Sequence, residues 1–343
     1  MQMDAGLSGA FLIEPANPDA SAAVDQEYTL LLDDFISSNA PHHEAQPQSN
    51  GGGMMGGMMQ GGMMQGMMGG NPRVDTAYDT FTINGKAYPA TAPLVVRRGD
   101  RVRLRLVNAS NMQTFVMRLL GHTLEVTHVD GNPLRTPVPV DAVPIATAER
   151  YDVVFTADNP GRWPLYALDQ EHRDGGLLTE IVYAGVERSL VAPQVENNLR
   201  IFGYAMADGI DFLPPADGRR DFSLTLSGGG MMGTGPDEWT INGGTMATLD
   251  PLRLARNQLG VVRMVNMSAQ SHPMHLHGQS FRVMAVNGVR LRSPLVKDTV
   301  DIAPHMGSAD IEFAAFNPGR WMFHCHKPMH MEGGMGVMVE VAE

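Results

Sequence analysis

The feature that most restricts this chain is an internal repeat. FTINGKAYPATAPLVVRRGDRVRLRLVN at 81 to 108 returns as WTINGGTMATLDPLRLARNQLGVVRMVN at 239 to 266, and NPGRW at 159 to 163 returns at 317 to 321, both at an offset of 158 residues. A repeat this long is a whole domain copied, since solenoid units run only to roughly 20–50 residues. Apolar and polar residues alternate in YTLLLDDF at 28 to 35, VRLRLVN at 102 to 108, YDVVF at 151 to 155 and FSLTLS at 222 to 227, with Gly, Pro and Asn-Gly between the runs. Alternation with period two is the pattern of strands buried on one face, and no long helical period competes with it. The expected fold is all-β: tandem sandwiches over about 26–190 and 219–343, joined by a linker at 191–218 that crosses the surface.

Composition narrows the function. The net charge of −12, from 25 Lys and Arg against 37 Asp and Glu, repels phosphate backbones and attracts cations, which argues against nucleic acid as a partner. No apolar run reaches the roughly 18–20 residues needed to cross a bilayer, so no membrane partner is expected either. Cys325 is the single cysteine; it can form no intramolecular disulfide, and any special role for it is a metal or redox role. The counts that stand out are 26 Met and 12 His. Eight methionines (Met54, Met55, Met58, Met59, Met63, Met64, Met67 and Met68) crowd a Gly- and Gln-rich insertion at 51–70 of the first domain, with an echo at Met231 and Met232. Thioethers favour Cu(I), so metal capture is expected of the insertion over a passive loop. The opening MQMDAGLSGAFLIEP reads as one short strand ended by Pro15 and lacks the basic start and long apolar centre of a secretory signal.

The two copies differ chemically. The second reads HPMHLHG at 272 to 278; where it has His272, His275 and His277, the first has Phe115, Arg118 and Leu120, although Met117 matches Met274 and Gly121 matches Gly278. After the second NPGRW the chain reads MFHCHKPMHMEGGM. Tyr166, Ala167, Leu168 and Leu177 stand where His324, Cys325, His326 and Met335 stand, and His172 alone matches a histidine, His330. One copy is a metal domain and the other its structural relative.

Two His, one Cys and a weak axial Met form the soft donor set of a blue copper electron-transfer centre, and His272, Cys325, His330 and Met335 supply it; the axial place is one that other groups can also fill. Strand alternation points His324 and His326 away from the face of Cys325. His275 and His277, at i and i+2, share a face as well, so four imidazoles converge on a second site, and the backbone from Cys325 to His324 and His326 links the two. A lone cysteine is most often an inert buried residue, but this one is flanked by histidines. His42 and His43 lie in a polar loop, and His122, His128, His172 and His305 are scattered singly in strand contexts, so these are expected to be hydrogen-bonded or solvated.

HPMHLHG followed by HCHKPMHMEGGM resembles the C-terminal copper signature of the multicopper oxidases, the group of laccases, bilirubin oxidases and cuprous oxidases. The resemblance implies two cupredoxin-like Greek-key sandwiches, the second and third domains of a three-domain member, with residues 1–25 as a remnant of the end of the first domain. It implies that His272, Cys325 and His330 bind type 1 copper with Met335 axial, that His275 binds type 2 copper, and that His277, His324 and His326 bind the type 3 pair. Cys325, His324 and His326 are then the catalytic residues that carry electrons between sites. Family members draw the other trinuclear ligands from two HxH-type motifs in the first domain, so type 1 is complete here and types 2 and 3 are half-liganded. The implied activity is oxidation of cuprous ion or a small phenol with reduction of molecular oxygen, completed by a first domain in cis or in trans, in the periplasm or outside the cell. The alternatives are a copper-binding electron-transfer module or a copper-sequestering protein without oxidase activity.

Overall fold

The computed structural model describes residues 6–13, 23–37, 78–193, 196–230, 234–235 and 237–343. The Met-rich stretch 51–70, Met231, Met232, His42 and His43 lie outside the described residues.

The first unit contains strands β1 (Gln26–Phe35), β2 (Thr80–Ile83), β3 (Leu94–Val96), β4 (Arg101–Asn108), β5 (Phe115–Leu119) and β6 (Leu124–Val129). It continues with β7 (Asn132–Val140), β8 (Ala142–Ile145), β9 (Arg150–Thr156), β10 (Arg162–Ala167), the short helix α1 (Gln170–Asp174) and β11 (Leu178–Tyr183). Six strands make one sheet in the order β2-β1-β4-β9-β6-β7 and five make the other, β3-β11-β10-β5-β8.

The second unit repeats this plan with β12 (Arg219–Gly228), β13 (Trp239–Ile241), β14 (Leu252–Leu254), β15 (Leu259–Asn266), β16 (His272–Leu276) and β17 (Phe281–Val286). There follow β18 (Val289–Lys297), β19 (Thr299–Ile302), β20 (Ser308–Ala314), β21 (Gly319–Cys325), helix α2 (Pro328–Glu332) and β22 (Gly336–Val341). Its sheets run β13-β12-β15-β20-β17-β18 and β14-β22-β21-β16-β19, the same two orders. Even the irregularities agree: β6 shifts register between Val126 and His128, and β17 between Val283 and Ala285.

Alternation sets the layers. In β4 Val102, Leu104 and Leu106 are fully buried between the sheets, while Arg103 and Arg105 reach out to Glu27 on β1. Each such side chain contributes about 1.5–3 kcal/mol by leaving water, more than the partly exposed ion pairs beside it.

Three expectations need correction. Residues 6–13 form no strand; Leu7, Phe11 and Ile13 are 69%, 88% and 81% exposed, so among the described residues their apolar side chains find little cover. The connecting segment does more than cross the surface: Phe202, only 3% exposed, packs edge-on to Tyr151 at 5.4 Å, and the Tyr204 hydroxyl donates to Glu149. Of the scattered histidines only His128 lies in a strand. His122 follows β5 in a turn with Nε2 2.7 Å from the Tyr183 hydroxyl, His172 is in α1, and His305 lies in an exposed turn.

A charged seam joins the units. Lys297, with no exposed side-chain surface, lies 3.0 Å from Asp130 and 3.1 Å from Glu149, and Arg150 forks onto Asp298.

Candidate metal centre

Strand register builds the site. β16 pairs antiparallel with β21 so that Met274 faces Cys325 and His275 faces His324. Cys325 ends β21, and Pro328 starts α2 where a missing N–H is harmless, so one turn of helix carries His330 back over the sulfur. The Cys325 Sγ lies 3.5 Å from His330 Nδ1 and 3.7 Å from His272 Nδ1, and the two Nδ1 atoms are 3.0 Å apart. All three residues are completely buried. Met335, also fully buried, donates its N–H to the His330 carbonyl at 2.9 Å and accepts from the Cys325 N–H at 3.1 Å, so the backbone ties it to both residues.

The outer nitrogens are already committed. His272 Nε2 is 2.7 Å from Ser268 Oγ, and His330 Nε2 is 2.7 Å from Gln270 Oε1, which leaves both Nδ1 atoms for a ligand. Trp239 stacks on the His330 ring at 3.7 Å and meets His272 edge-on at 5.4 Å. Burial pushes the Cys325 thiol up to about 12. Burial, with the Lys327 charge added, holds His272 well below the usual imidazole range; burial and then the charges of His272 and Lys327 do the same to His330. Such a pocket refuses protons and presents two neutral imidazoles and a sulfur, a donor set that fits copper.

On the other face the rings of His275, His277, His324 and His326 lie within 4.9–5.9 Å of their neighbours. His277 Nε2 is 3.0 Å from His324 Nε2. His324 Nδ1 bonds the Cys325 carbonyl at 2.8 Å, and His275 Nδ1 bonds the Asp298 carbonyl at 2.8 Å, so each ring keeps Nε2 available. Burial first, then neighbouring histidines, pushes His324 and His326 down to about 4. Gly278 closes the HPMHLHG motif at φ +79, where a Cβ would meet the Trp321 indole at 2.3 Å, so only glycine lets the motif turn there.

The first unit keeps the frame without the donors. Tyr166 and Ala167 pair with Arg118 and Met117 just as His324 and Cys325 pair with His275 and Met274. Asn108 Nδ2 and Ser110 Oγ donate to the Gln113 carbonyl at 2.8 and 2.9 Å, as Asn266 Nδ2 and Ser268 Oγ do to that of Gln270 at 2.7 and 3.0 Å. Gln113 Oε1 is 3.2 Å from His172 Nε2, the counterpart of the Gln270 to His330 bond. Arg118, the counterpart of His275, spends its guanidinium on Glu196 and on the carbonyls of Leu119, His122 and Asp141. Ser268, Gln270 and Trp239 were not among the residues singled out from the sequence. The signal for the first two was the Asn-x-Ser and Gln pattern that both copies share.

Residues 26–184 and 223–343 each match a family model described as multicopper oxidase. The multicopper oxidase MmcO of Mycobacterium tuberculosis is 34% identical over 272 residues, 78% of this chain and 51% of that protein. The iron multicopper oxidase fer1 of Mycosarcoma maydis is 26% identical, covering 96% of this chain and 60% of its own. Laccase-2 of Pleurotus ostreatus is 28% identical over 97% of this chain and 65% of its own. The chain thus spans between half and two thirds of these relatives. Among solved structures, a multi-copper oxidase from Pseudomonas thermotolerans superimposes with a TM-score of 0.65 at 21% identity, over 96% of this chain and 71% of that one. The laccase of Botrytis aclada superimposes at 0.66 and 19% identity, over 94% and 65%. Those likenesses show a shared cupredoxin fold, and the two family matches, which together run through most of both sandwiches, place this chain in the multicopper oxidase family.

Proposed function

We propose that this chain carries the type 1 copper site and half of the trinuclear ligands of an oxidase that takes single electrons from a reductant and delivers them to oxygen once an HxH-bearing domain completes it. In this reading His272, Cys325 and His330 would hold the type 1 copper with Met335 as a further weak donor, His275 would hold type 2 copper, and His277, His324 and His326 would hold the type 3 pair. Copper bound there supplies one-electron exchange between its cuprous and cupric states. The protein excludes water from Cys325, fixes the Nδ1 faces of His272 and His330 through Ser268 and Gln270, and links the Cys325 carbonyl directly to the His324 ring. The observation that carries the reading is the run His324-Cys325-His326, whose middle residue faces a closed Cys-His-His pocket while its neighbours face a separate group of histidines.

Cuprous ion is the first choice of reductant, supported by the eight methionines at 51–70, and small phenols are the second. The compartment, periplasm or outside the cell, follows from the family alone. A second reading, an electron-transfer module, needs only the closed Cys325 pocket, whose Cys-His-His group lies within this chain. The copper-loaded chain should be intensely blue, and Cys325→Ser should remove the colour. Adding a domain with two HxH motifs should bring oxygen consumption, which His324→Ala abolishes while the colour stays. A colourless copper-loaded, oxidised protein sinks the type 1 assignment; oxygen turnover indifferent to His324→Ala sinks the trinuclear one.

A further inference from the structure

Among the described residues the first unit contributes no donor to either group of histidines, yet it reaches one of them. His275 Nδ1 lies 2.8 Å from the Asp298 carbonyl oxygen and 3.1 Å from Thr299 Oγ1. A carbonyl can only accept, so the ring proton is held on Nδ1 and Nε2 carries the free lone pair. The Thr299 hydroxyl donates to Asp298 Oδ1 at 2.9 Å, which leaves its oxygen as an acceptor facing the same ring N–H. Both anchors of His275 therefore sit on the two residues Asp298 and Thr299.

These two residues are tied down from the other unit. Arg150, at the start of β9, places its two terminal nitrogens 2.6 Å from the two Asp298 carboxylate oxygens, a bidentate fork. The Asp130 carboxylate accepts from the backbone N–H groups of Asp298 and Thr299 at 3.4 and 3.3 Å, and Asn132 donates to the Val296 carbonyl at 2.9 Å. The position of Arg150 in the other copy is held by Ser308, so the sandwich does not itself require an arginine there. The Arg150 pair is partly exposed, which makes it a poor source of stability and a better source of geometry.

We infer that Arg150 is a positioning residue for His275: through the Asp298 carboxylate it fixes the segment that selects the Nδ1–H form of the ring and aims Nε2 at the open face. The first unit thereby sets the readiness of the type 2 position in its neighbour. The inference rests on His275 being a copper ligand, as proposed above, but it is tested on the metal-free ring.

The whole chain, labelled with nitrogen-15 in its imidazoles and free of metal, is examined by long-range proton–nitrogen correlation spectra, with His275→Gln assigning the signal. Wild type should show His275 in the single Nδ1–H form. Arg150→Met should move it to a mixture of both ring forms while His272 and His330 stay unchanged, and Arg150→Lys should restore it only in part, since one ammonium cannot fork onto both oxygens. Asp298→Asn, which keeps the shape of the loop, should reproduce the Arg150→Met spectrum, and combining the two should add nothing. In a Cys325→Ser background, Arg150→Met should weaken Cu(II) binding by the open face roughly tenfold. An unchanged His275 signal in either Arg150→Met or Asp298→Asn overturns the inference and leaves the copper assignment standing. An equal disturbance of His272 and His330 also overturns it, because that would mark a general loosening of the fold.

Discussion

Replacing Lys297 by methionine is the most demanding test of how the two units are held together. Its ammonium lies 3.0 Å from Asp130 and 3.1 Å from Glu149, and the side chains of Lys297 and Asp130 have no exposed surface. The rings of Tyr151 and Tyr204 flank it, each 5.2 Å away. Methionine fills nearly the same volume, so the loss is electrostatic: two buried carboxylates are left without their shared cation. Removing one partner of a buried pair costs about 3–5 kcal/mol. The lower part of that range is expected, about 3 kcal/mol, because Arg150 still lies 3.5 Å from Asp130 and the tyrosine hydroxyls still donate to Glu149. That is roughly a hundredfold in the ratio of folded to unfolded protein.

The pH dependence separates this account from a packing defect. Burial alone would lower the Lys297 pKa, but Asp130 and Glu149 outweigh it and raise it above its ordinary value. The wild-type contribution is therefore fully present below the unfolded lysine value and is lost only as pH rises through the higher folded value. In the variant a stranded carboxylate binds a proton more readily folded than unfolded, so the gap to wild type should narrow as pH falls from 7 to 5. Equilibrium denaturation by urea at several pH values measures the gap, and any effect of the histidines on acid stability cancels in the difference. A gap under about 1 kcal/mol at pH 7, or one that does not narrow on acidification, would refute the reasoning.

Two further outcomes follow from the site. Met335→Leu should keep the blue colour but raise the reduction potential, since a lost thioether donor destabilises Cu(II) relative to Cu(I); an unchanged potential in redox titration removes Met335 from the site. Copper loading of the metal-free chain at pH 7 should release about one proton, from Cys325 alone, because its thiol is pushed up to about 12 while His324 and His326, pushed down to about 4, are already neutral. Loading in weakly buffered dye solution counts it, and Cys325→Ser should reduce the count to near zero.

The sequence foretold the architecture where the pattern was local and repeated: alternation marked the long strands, and the 158-residue offset aligned Ala167 with Cys325 and, with one residue of slippage, Phe115 with His272, as the strand registers also do. The inner residues of the Cys325 pocket were legible because His and Cys at those spacings have few other uses. What stayed hidden was held by distance rather than by pattern. Arg150 and Asp298 are 148 residues apart, and nothing in RYDVVF or VKDTV separates an interdomain fork from an ordinary surface charge. Trp239 aligns with Phe81 and was not singled out, because stacking on an imidazole is a matter of orientation that composition does not carry. The exposed residues 6–13 misled for the opposite reason: Leu12 and Ile13 satisfy a strand propensity that no strand among the described residues answers.

The matched frames of the two copies bear on how one sandwich serves two different sets of side chains. Phe81, Phe115 and His172 occupy the first unit with ring spacings of 4.7–5.9 Å, against 3.7–5.4 Å for Trp239, His272 and His330 in the second. The strand pairing, the helical turn, the glutamine behind the histidine and the histidine itself are common to both. What sets the Cys325 pocket apart from its counterpart includes the side chains at positions such as 115, 167 and 177, carried on backbone pairings that the two units share. The sandwich can therefore present different side chains at one place in its frame, an aromatic and aliphatic set in the first unit and a Cys-His-His set in the second, on the same strand order.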